Sequence, residues 1–257
     1  MGMEKLSVII NSYSSDQKLL SDSIASILAQ RQVQVQCIIS TVSDDPAIKT
    51  AKKYGVEVVL SKKPNLYQQL NKALDNITGD WFFYFSGNDI AMPNKAINEI
   101  TLCSKKNKKV CYSSFYKTDS NLEKRKLMKF HDYSIKKHYC GNFVSDVATV
   151  RTDLLRKYSP FDASVGNAAF WDFWLKIFEG EGEQFVYNRE PTWLYRIQDT
   201  SRHVIRKKDK NKMLQNYQEK RAMLKNHKLY LQKYGLQDQL LNIEKLIIDL
   251  KREINNG

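Results

Sequence analysis

The sequence has no apolar run near the ~20 residues that a membrane-spanning helix needs, and its first residues carry no signal peptide. Cysteine is scarce, with four residues in 257. Cys37, Cys103, Cys111 and Cys140 lack metal-binding spacing, and three of them lie in apolar surroundings. Buried, reduced thiols in a cytoplasmic protein are therefore expected. No zinc-finger, RNP or glycine-rich nucleic-acid signature occurs, which ranks nucleic acid low among partners. Structural-zinc, haem and flavin patterns are missing as well.

What is present in quantity is positive charge. The net charge of +13 is unevenly spread. Residues 1–103 are neutral overall, residues 104–138 carry +8, residues 139–202 carry −2 and residues 203–257 carry +7. The charge thus lives in a middle insert and a C-terminal tail, which suit an anionic membrane face or a phosphorylated substrate. A chain of 257 residues can form one large α/β domain or a domain with an appendage.

The stretch TGDWFFYFSGNDIAMPNK, residues 78–95, organises the rest. Gly79-Asp80 is a turn signal, and Trp81–Phe85 is a continuous aromatic run that reads as a strand buried on both faces. It stops at Ser86-Gly87-Asn88-Asp89, where a chain leaves a sheet, and Pro93 suits the first turn of a following helix. In open α/β sheets, ligands bind outside the carboxyl ends of the strands. Upstream, Leu6–Ile10, Val33–Ile39 and Val56–Leu60 read as strands. They alternate with helices over Leu19–Gln30, Ala47–Tyr54 and Leu66–Asn76. That alternation predicts a doubly wound, parallel sheet.

Downstream, a helix is expected through Ile97–Leu102 and a strand over Val110–Tyr116, followed by a Lys-rich loop. A further strand is expected over Asn142–Val150, then a helix over Leu154–Tyr158 and an aromatic helix over Phe170–Phe178. Phe185–Tyr187 and Trp193–Arg196 read as two short strands flanking Pro191. From Leu236, the residues Leu240, Ile243, Ile247, Leu250 and Ile254 step by heptad spacing. A boundary near His203 separates a domain, 1–203, from a basic helical tail, 204–257. The tail reads either as a hairpin packed on the core or as an intermolecular coiled coil that makes a homo-oligomer.

With these residues on the page, the chain resembles the family-2 glycosyltransferases, whose nucleotide-sugar domain has the GT-A fold. The family's opening S-V-I-I-P-T-Y-N is similar to Ser7-Val8-Ile9-Ile10-Asn11-Ser12-Tyr13-Ser14, and its Ser-x-x-x-Gln to Ser26 through Gln30. Its acidic D-D-G-S-x-D aligns with Ser40-Thr41-Val42-Ser43-Asp44-Asp45. Asn71-Lys72-Ala73 and Gly79-Asp80-Trp81 follow the next segment. The metal motif D-x-D-D falls on Ser86-Gly87-Asn88-Asp89. The E-D-x-D-L-W-L-R-I helix falls on Ala169 to Ile177, and Y-R-x-H-x-x-S on Tyr195 to Ser201.

The resemblance implies a GT-A α/β fold and sugar transfer, with inversion, from a nucleoside-diphosphate donor to a hydroxyl of a glycan or lipid-linked acceptor. It implies a divalent cation, Mn²⁺ or Mg²⁺. Asp89 is the metal ligand on this reading, or else a helix N-cap. His203 would complete the metal or diphosphate site, or is solvated. Asn11 and Tyr13 would frame the base or belong to a plain surface loop, Thr41 would read a base edge or hydroxyl, and Asn88 would orient a sugar hydroxyl or serve as a turn residue. Arg196 and Arg202 would clamp the diphosphate, with salt bridges to Glu190 or Asp199 as their other role. Asn71 is placed on the donor side, with the pinning of neighbouring backbone as its other role. Asp45 reads as a helix cap.

The departures are specific. Two acids of the metal motif are Ser86 and Asn88, and the base position falls on Ala169 or Phe170. Asp172 is the remaining carboxylate, turned about 200° from Phe170 on a helix; its other role is to satisfy the helix dipole. A second reading follows from these losses, a binding or assembly module that keeps the fold without the catalysis.

Overall fold

The computed structural model describes residues 2–123, 125–198 and 209–255. The core begins with β1 (Glu4–Asn11), in which Leu6, Val8, Ile9 and Ile10 are fully buried. It lies between β2 (Val33–Val42) and β4 (Trp81–Ser86), parallel to both, and β3 (Glu57–Ser61) extends the sheet beyond β2. A strand covered on both faces needs apolar side chains at successive positions, which Val8-Ile9-Ile10 and Trp81–Phe85 supply. Helices α1 (Gln17–Leu28), α2 (Ala47–Lys53) and α3 (Leu66–Leu74) are the crossovers. Asn11 is paired with Ser40 on one side and Ser86 on the other, so β1 and β4 end level with each other in polar residues while β2 runs on to Val42.

Two sequence motifs set this half. Gly79 passes so close to β1 that an added Cβ would lie 2.5 Å from the Ser7 nitrogen. Ser7 Oγ accepts the N–H groups of Gly79 and Thr78 at 2.8 and 3.1 Å, fixing the turn into β4. Gln30 donates to the carbonyls of Ser26 and Met92 and accepts the N–H of Ala96, tying α1 to α4 (Lys95–Lys106). Helix α4 starts two residues after Pro93, whose carbonyl instead accepts the Arg31 N–H.

The second half turns the sheet mixed. Its order is β3-β2-β1-β4-β8-β6-β9-β5, with β7 (Arg125–Met128) hairpinned on β6 (Val110–Thr118). Strand β8 is only Thr149–Arg151, antiparallel to β4 and β6, so most of the expected Asn142–Val150 strand is a loop. That loop follows α5 (Ile135–Cys140) and is anchored by buried Phe143, Val144 and Val147 rather than by ladder hydrogen bonds. Helix α6 (Thr152–Tyr158) and a 3₁₀ turn, Ala163–Ala168, lead into α7 (Ala169–Glu181). The two short strands expected around Pro191 are one, β9 (Phe185–Arg196). Its register against β6 shifts at the Ser114–Pro191 pair, which absorbs the missing proline N–H. A two-residue strand, β5 (Ile90–Ala91), pairs with Trp193 and Leu194.

The tail forms α8 (Lys210–Asn226), α9 (Lys228–Lys233) and α10 (Asp238–Asn255). Met223, Leu224 and Leu231 join the main core, and α10 packs along α8. The heptad positions Leu236, Leu240 and Ile243 pack on that same core, with Ile247 and Leu250 buried. Cys37, Cys103 and Cys111 are buried free thiols and Cys140 is exposed.

Candidate active site

A pocket of about 1080 Å³ opens where β1 and β4 end. Its walls come from the loop after β1 (Asn11 to Asp16), the start of α3 (Leu66, Tyr67, Gln69) and the end of β4 (Ser86 to Asp89). The loop before β8 (Asn142, Asp146, Val147) and the end of β9 (Trp193, Tyr195, Arg196) complete them.

Asp89 and Arg196 form its charged centre. Asp89 is 3 % exposed, and its Oδ1 accepts the backbone N–H of Arg196 at 3.0 Å. Burial pushes the Asp89 pKa up to about 7, against the pull of that hydrogen bond and of the Arg196 charge. Arg196 is 5 % exposed; Nη1 donates to the Ser120 carbonyl at 3.0 Å and Nη2 lies 3.6 Å from Asp22. Its Nε and Nη2 have no hydrogen-bond partner among the described residues. A buried guanidinium with unspent donors on a pocket wall is built to meet an anion.

Other orphaned polar atoms lie beside them. Asn11 Oδ1, Ser12 Oγ and Asn88 Oδ1 are buried and without a hydrogen-bond partner among the described residues. The Asn11 amide nitrogen donates to the Leu66 carbonyl and to Gln69 Oε1, at 3.3 and 3.2 Å, which fixes its orientation. Asn88 Nδ2 reaches Gln198 Oε1 at 3.5 Å. Tyr13, 56 % exposed, stands on the rim. Asp45 caps α2 through the Ala47 N–H and also holds the rim by accepting the Ser14 N–H.

Three residues expected at the site lie elsewhere. Thr41 is fully buried within β2 and off the pocket wall, because the chain continues as strand through that position. Asn71 spends its amide on the backbone of Phe161, donating to its carbonyl and accepting its N–H, both at 2.8 Å. Asp172 is 1 % exposed and faces the tail: it pairs with Lys176, with His227 Nε2 at 3.1 Å and with Asn226 at 3.3 Å. Burial alone would raise its pKa, but the hydrogen bonds from His227 and Lys176 outweigh that and hold it low. Arg202 and His203 lie outside the described residues.

Ala169 and Phe170, where the resemblance puts the base, are both buried. Phe170 packs on Tyr84, Phe161 and Tyr67 at ring separations of 5.2, 4.7 and 6.1 Å, so it backs the pocket wall with hydrocarbon.

Residues 7–178 match the family model described as glycosyl transferase family 2. The chain belongs to that family. Staphylococcus aureus TarS superposes with a TM-score of 0.63 at 15 % identity, over 85 % of this chain and 39 % of the TarS chain. This chain therefore spans well under half of that protein. A TarS fragment, 1–349, solved with UDP-GlcNAc gives 0.61 at 14 % identity, over 96 % of this chain and 81 % of that one. Mycobacterium tuberculosis glucosyl-3-phosphoglycerate synthase, solved with Mn²⁺, UDP and glucosyl-3-phosphoglycerate, gives 0.55 at 15 % identity over 79 % and 77 %. Identities this low establish the shared GT-A fold. No curated protein sequence matches.

Family 2 membership makes the oxygen set at Asp89 a test of the implied cation. Among the described residues no three His, Cys, Asp or Glu side chains come together to hold a metal. What is present is the Asp89 carboxylate and the orphaned Asn88 amide oxygen, both hard donors. That pair fits Mg²⁺ or Mn²⁺ drawing further ligands from phosphate oxygens. Sequence reading missed Gln69, Tyr84 and Asp146 on the pocket wall. Asp146 was hidden because NFVSDVATV scans as a β-branched strand, and its one signal is a charge inside an apolar run.

Proposed function

We propose that this family 2 glycosyltransferase moves a sugar from a nucleoside-diphosphate donor in the large pocket to a hydroxyl of a glycan or lipid-linked acceptor, with inversion. The observation that carries the reading is the buried Arg196 guanidinium beside Asp89 at the strand ends, whose Nε and Nη2 have no hydrogen-bond partner among the described residues. Arg196 would bind the diphosphate, and Asp89 with Asn88 Oδ1 would hold a divalent cation that neutralises the leaving group. Asn11 and Tyr13 would frame the base. The neighbours' complexes with UDP and UDP-GlcNAc support the same class of donor. The basic segments at 104–138 and 203–257 would hold an anionic acceptor or an anionic membrane face. No helix among the described residues is long and apolar enough to cross a membrane.

The test is thermal shift with UDP, UDP-GlcNAc and UDP-glucose, and with the corresponding GDP compounds, each with and without Mn²⁺. A ligand at a hundred times its Kd stabilises the fold by about 2.7 kcal/mol. A shift for one nucleotide that grows with Mn²⁺ supports the reading, and silence across the panel overturns it.

A second reading, a module that binds a sugar nucleotide without turning it over, is favoured by the hydrocarbon at Ala169 and Phe170. It is separated from the first by donor binding with no release of UDP.

A further inference from the structure

Two kinds of unpaired polar atom line the large pocket, and the fold fixes which kind stands where. At the end of β9 are the Arg196 guanidinium and the Trp193 indole; Arg196 Nε and Nη2 and Trp193 Nε1 have no hydrogen-bond partner among the described residues. Both groups only donate. On the wall built from the end of β1 and the start of α3, the buried unpaired atom of Asn11 is Oδ1, which only accepts. The other buried amide oxygen of this kind, Asn88 Oδ1, stands next to Asp89 and belongs with the cation there.

The polarity at Asn11 is set by backbone groups that cannot be reversed. Asn65 caps α3 by accepting the N–H groups of Tyr67 and Gln68, which holds the first turn in place. The Leu66 carbonyl of that turn lies 3.3 Å from one end of the Asn11 amide, and a carbonyl only accepts, so that end is Nδ2. The same nitrogen donates to Gln69 Oε1 at 3.2 Å, while Gln69 Nε2 donates to the Ser12 carbonyl at 3.4 Å. Turning either amide over would set oxygen against oxygen. Asn11 Oδ1 is therefore locked as an acceptor, and leaving it unpaired costs the fold until a donor meets it. Strand β2 supplies no rival: Ser40 Oγ donates to the Gln69 carbonyl at 2.8 Å, and Thr41 is off the pocket wall.

A diphosphate brings only acceptors, so it suits the Arg196 end of the pocket and is repelled at Asn11. Whatever meets Asn11 must bring an N–H or O–H group. Pro64, Leu66 and Tyr67 give that wall flat and apolar surface, with Tyr13 on the rim, which suits a base. We propose that Asn11 sets the base specificity of the pocket: its Oδ1 accepts the ring N–H of uracil or guanine. Cytosine and adenine present a ring lone pair in the same pose and are refused. The assignment rests on the glycosyl-transfer reading above and names the class of base its donor carries.

The test is titration calorimetry on the full chain with Mn²⁺ present. The probes are UDP, GDP, CDP and ADP, the ring-methylated 3-methyl-UDP and 1-methyl-GDP, and 2′-deoxy-UDP and 2′-deoxy-GDP. The wild type is expected to bind UDP or GDP at least tenfold more tightly than its own methylated form, and than CDP and ADP. In Asn11→Ala the preferred nucleotide is expected to weaken about tenfold while its methylated form is unchanged, so that the ratio falls to near one. A merely structural role would weaken both forms alike. The isosteric Asn11→Leu is expected to show the same collapse and serves if the alanine variant fails to fold. Equal wild-type affinity for parent and methylated nucleotide overturns the assignment, as does tightest binding of CDP or ADP, or discrimination that survives in both variants. A penalty for the 2′-deoxy nucleotide that Asn11→Ala abolishes gives Oδ1 to the ribose and also overturns it. Each of these leaves the donor class standing. A wild type that binds none of the nucleotides overturns the proposed function itself.

Discussion

At the scale of single residues, Asp89 is the clearest case of a side chain held at a cost to the fold. Its folded pKa of about 7 lies above the ordinary 3.8, so the folded chain binds more protons than the unfolded chain between those values. Stability is therefore lost as pH rises from about 4 through 7. Asp89→Asn is expected to melt higher than wild type at pH 8 without ligand, with the gap closing toward pH 4; a pH series of thermal melts measures it. A cation at Asp89 needs the ionised form, so Mn²⁺-dependent donor binding is expected to weaken roughly tenfold per pH unit below the pKa, as titration calorimetry at pH 5.5 and 7.5 would show. Arg196 makes the complementary case. Its backbone N–H holds Asp89 while Nε and Nη2 of its side chain have no hydrogen-bond partner among the described residues, so Arg196→Lys preserves the first contact and loses the planar fork. Nucleotide affinity is expected to fall at least tenfold in that variant, with little change in unliganded melting temperature.

At the scale of elements, α7 is joined to the tail by ionisable groups under cover. His227, between α8 and α9, meets Asp172 at 3.1 Å and Glu179 at 2.6 Å from its two ring nitrogens. Burial would lower the His227 pKa, but the hydrogen bonds its ring donates to Asp172 and Glu179 prevail and raise it above 6.5. The imidazolium's contribution is full below the unfolded pKa and is lost as pH climbs through the raised folded value. Asp172, held low, contributes above 3.8 and loses its contribution as pH falls through its own folded value. The clasp is thus strongest between those limits. His227→Gln is expected to destabilise the chain more at pH 6 than at pH 9, by roughly 1–3 kcal/mol at the lower pH, measured by urea unfolding. A second link lies at the start of α7, where Glu219 of α8 accepts the Asn167 backbone N–H at 3.0 Å and its side-chain amide at 2.8 Å.

For the whole molecule, the tail belongs to the same core as the sheet. Met223, Leu224 and Leu231 are each almost fully buried in it. At roughly 1.5–3 kcal/mol for each such side chain, their removal approaches the roughly 5–15 kcal/mol that holds a whole domain together. A chain ending at residue 203 is therefore expected to aggregate or to melt far below the full chain, which differential scanning calorimetry and light scattering would register. Leu224→Ala alone is expected to cost about 2–5 kcal/mol. The charge acts at this same scale. With +13 concentrated in two segments, binding to anionic vesicles is expected at low salt and is expected to fade as the Debye length shrinks toward about 3 Å at 1 M. Vesicle co-sedimentation across a salt series measures this.

The sequence by itself determined the strands that are buried on both faces, because such strands must be apolar at every position and few other structures are. Val8-Ile9-Ile10 and Trp81–Phe85 could be read directly, as could the polar stop at Asn88-Asp89 and the turn at Gly79-Asp80. It also showed that Ala169 and Phe170, where the family resemblance puts the base, carry no group that accepts a proton. Only the tertiary structure decided which polar residues share a pocket. Thr41 and Asn71 carry suitable groups, but one is enclosed in a strand and the other is spent on Phe161. Asp172 turned toward His227, a partner 55 positions away that no local pattern announces. Asp146 was brought to the wall by a loop that periodicity reads as a strand. The heptad seam was legible as a stripe, yet its partner was not: a period of 3.5 fixes which face is apolar, while only the packed chain sets what covers it.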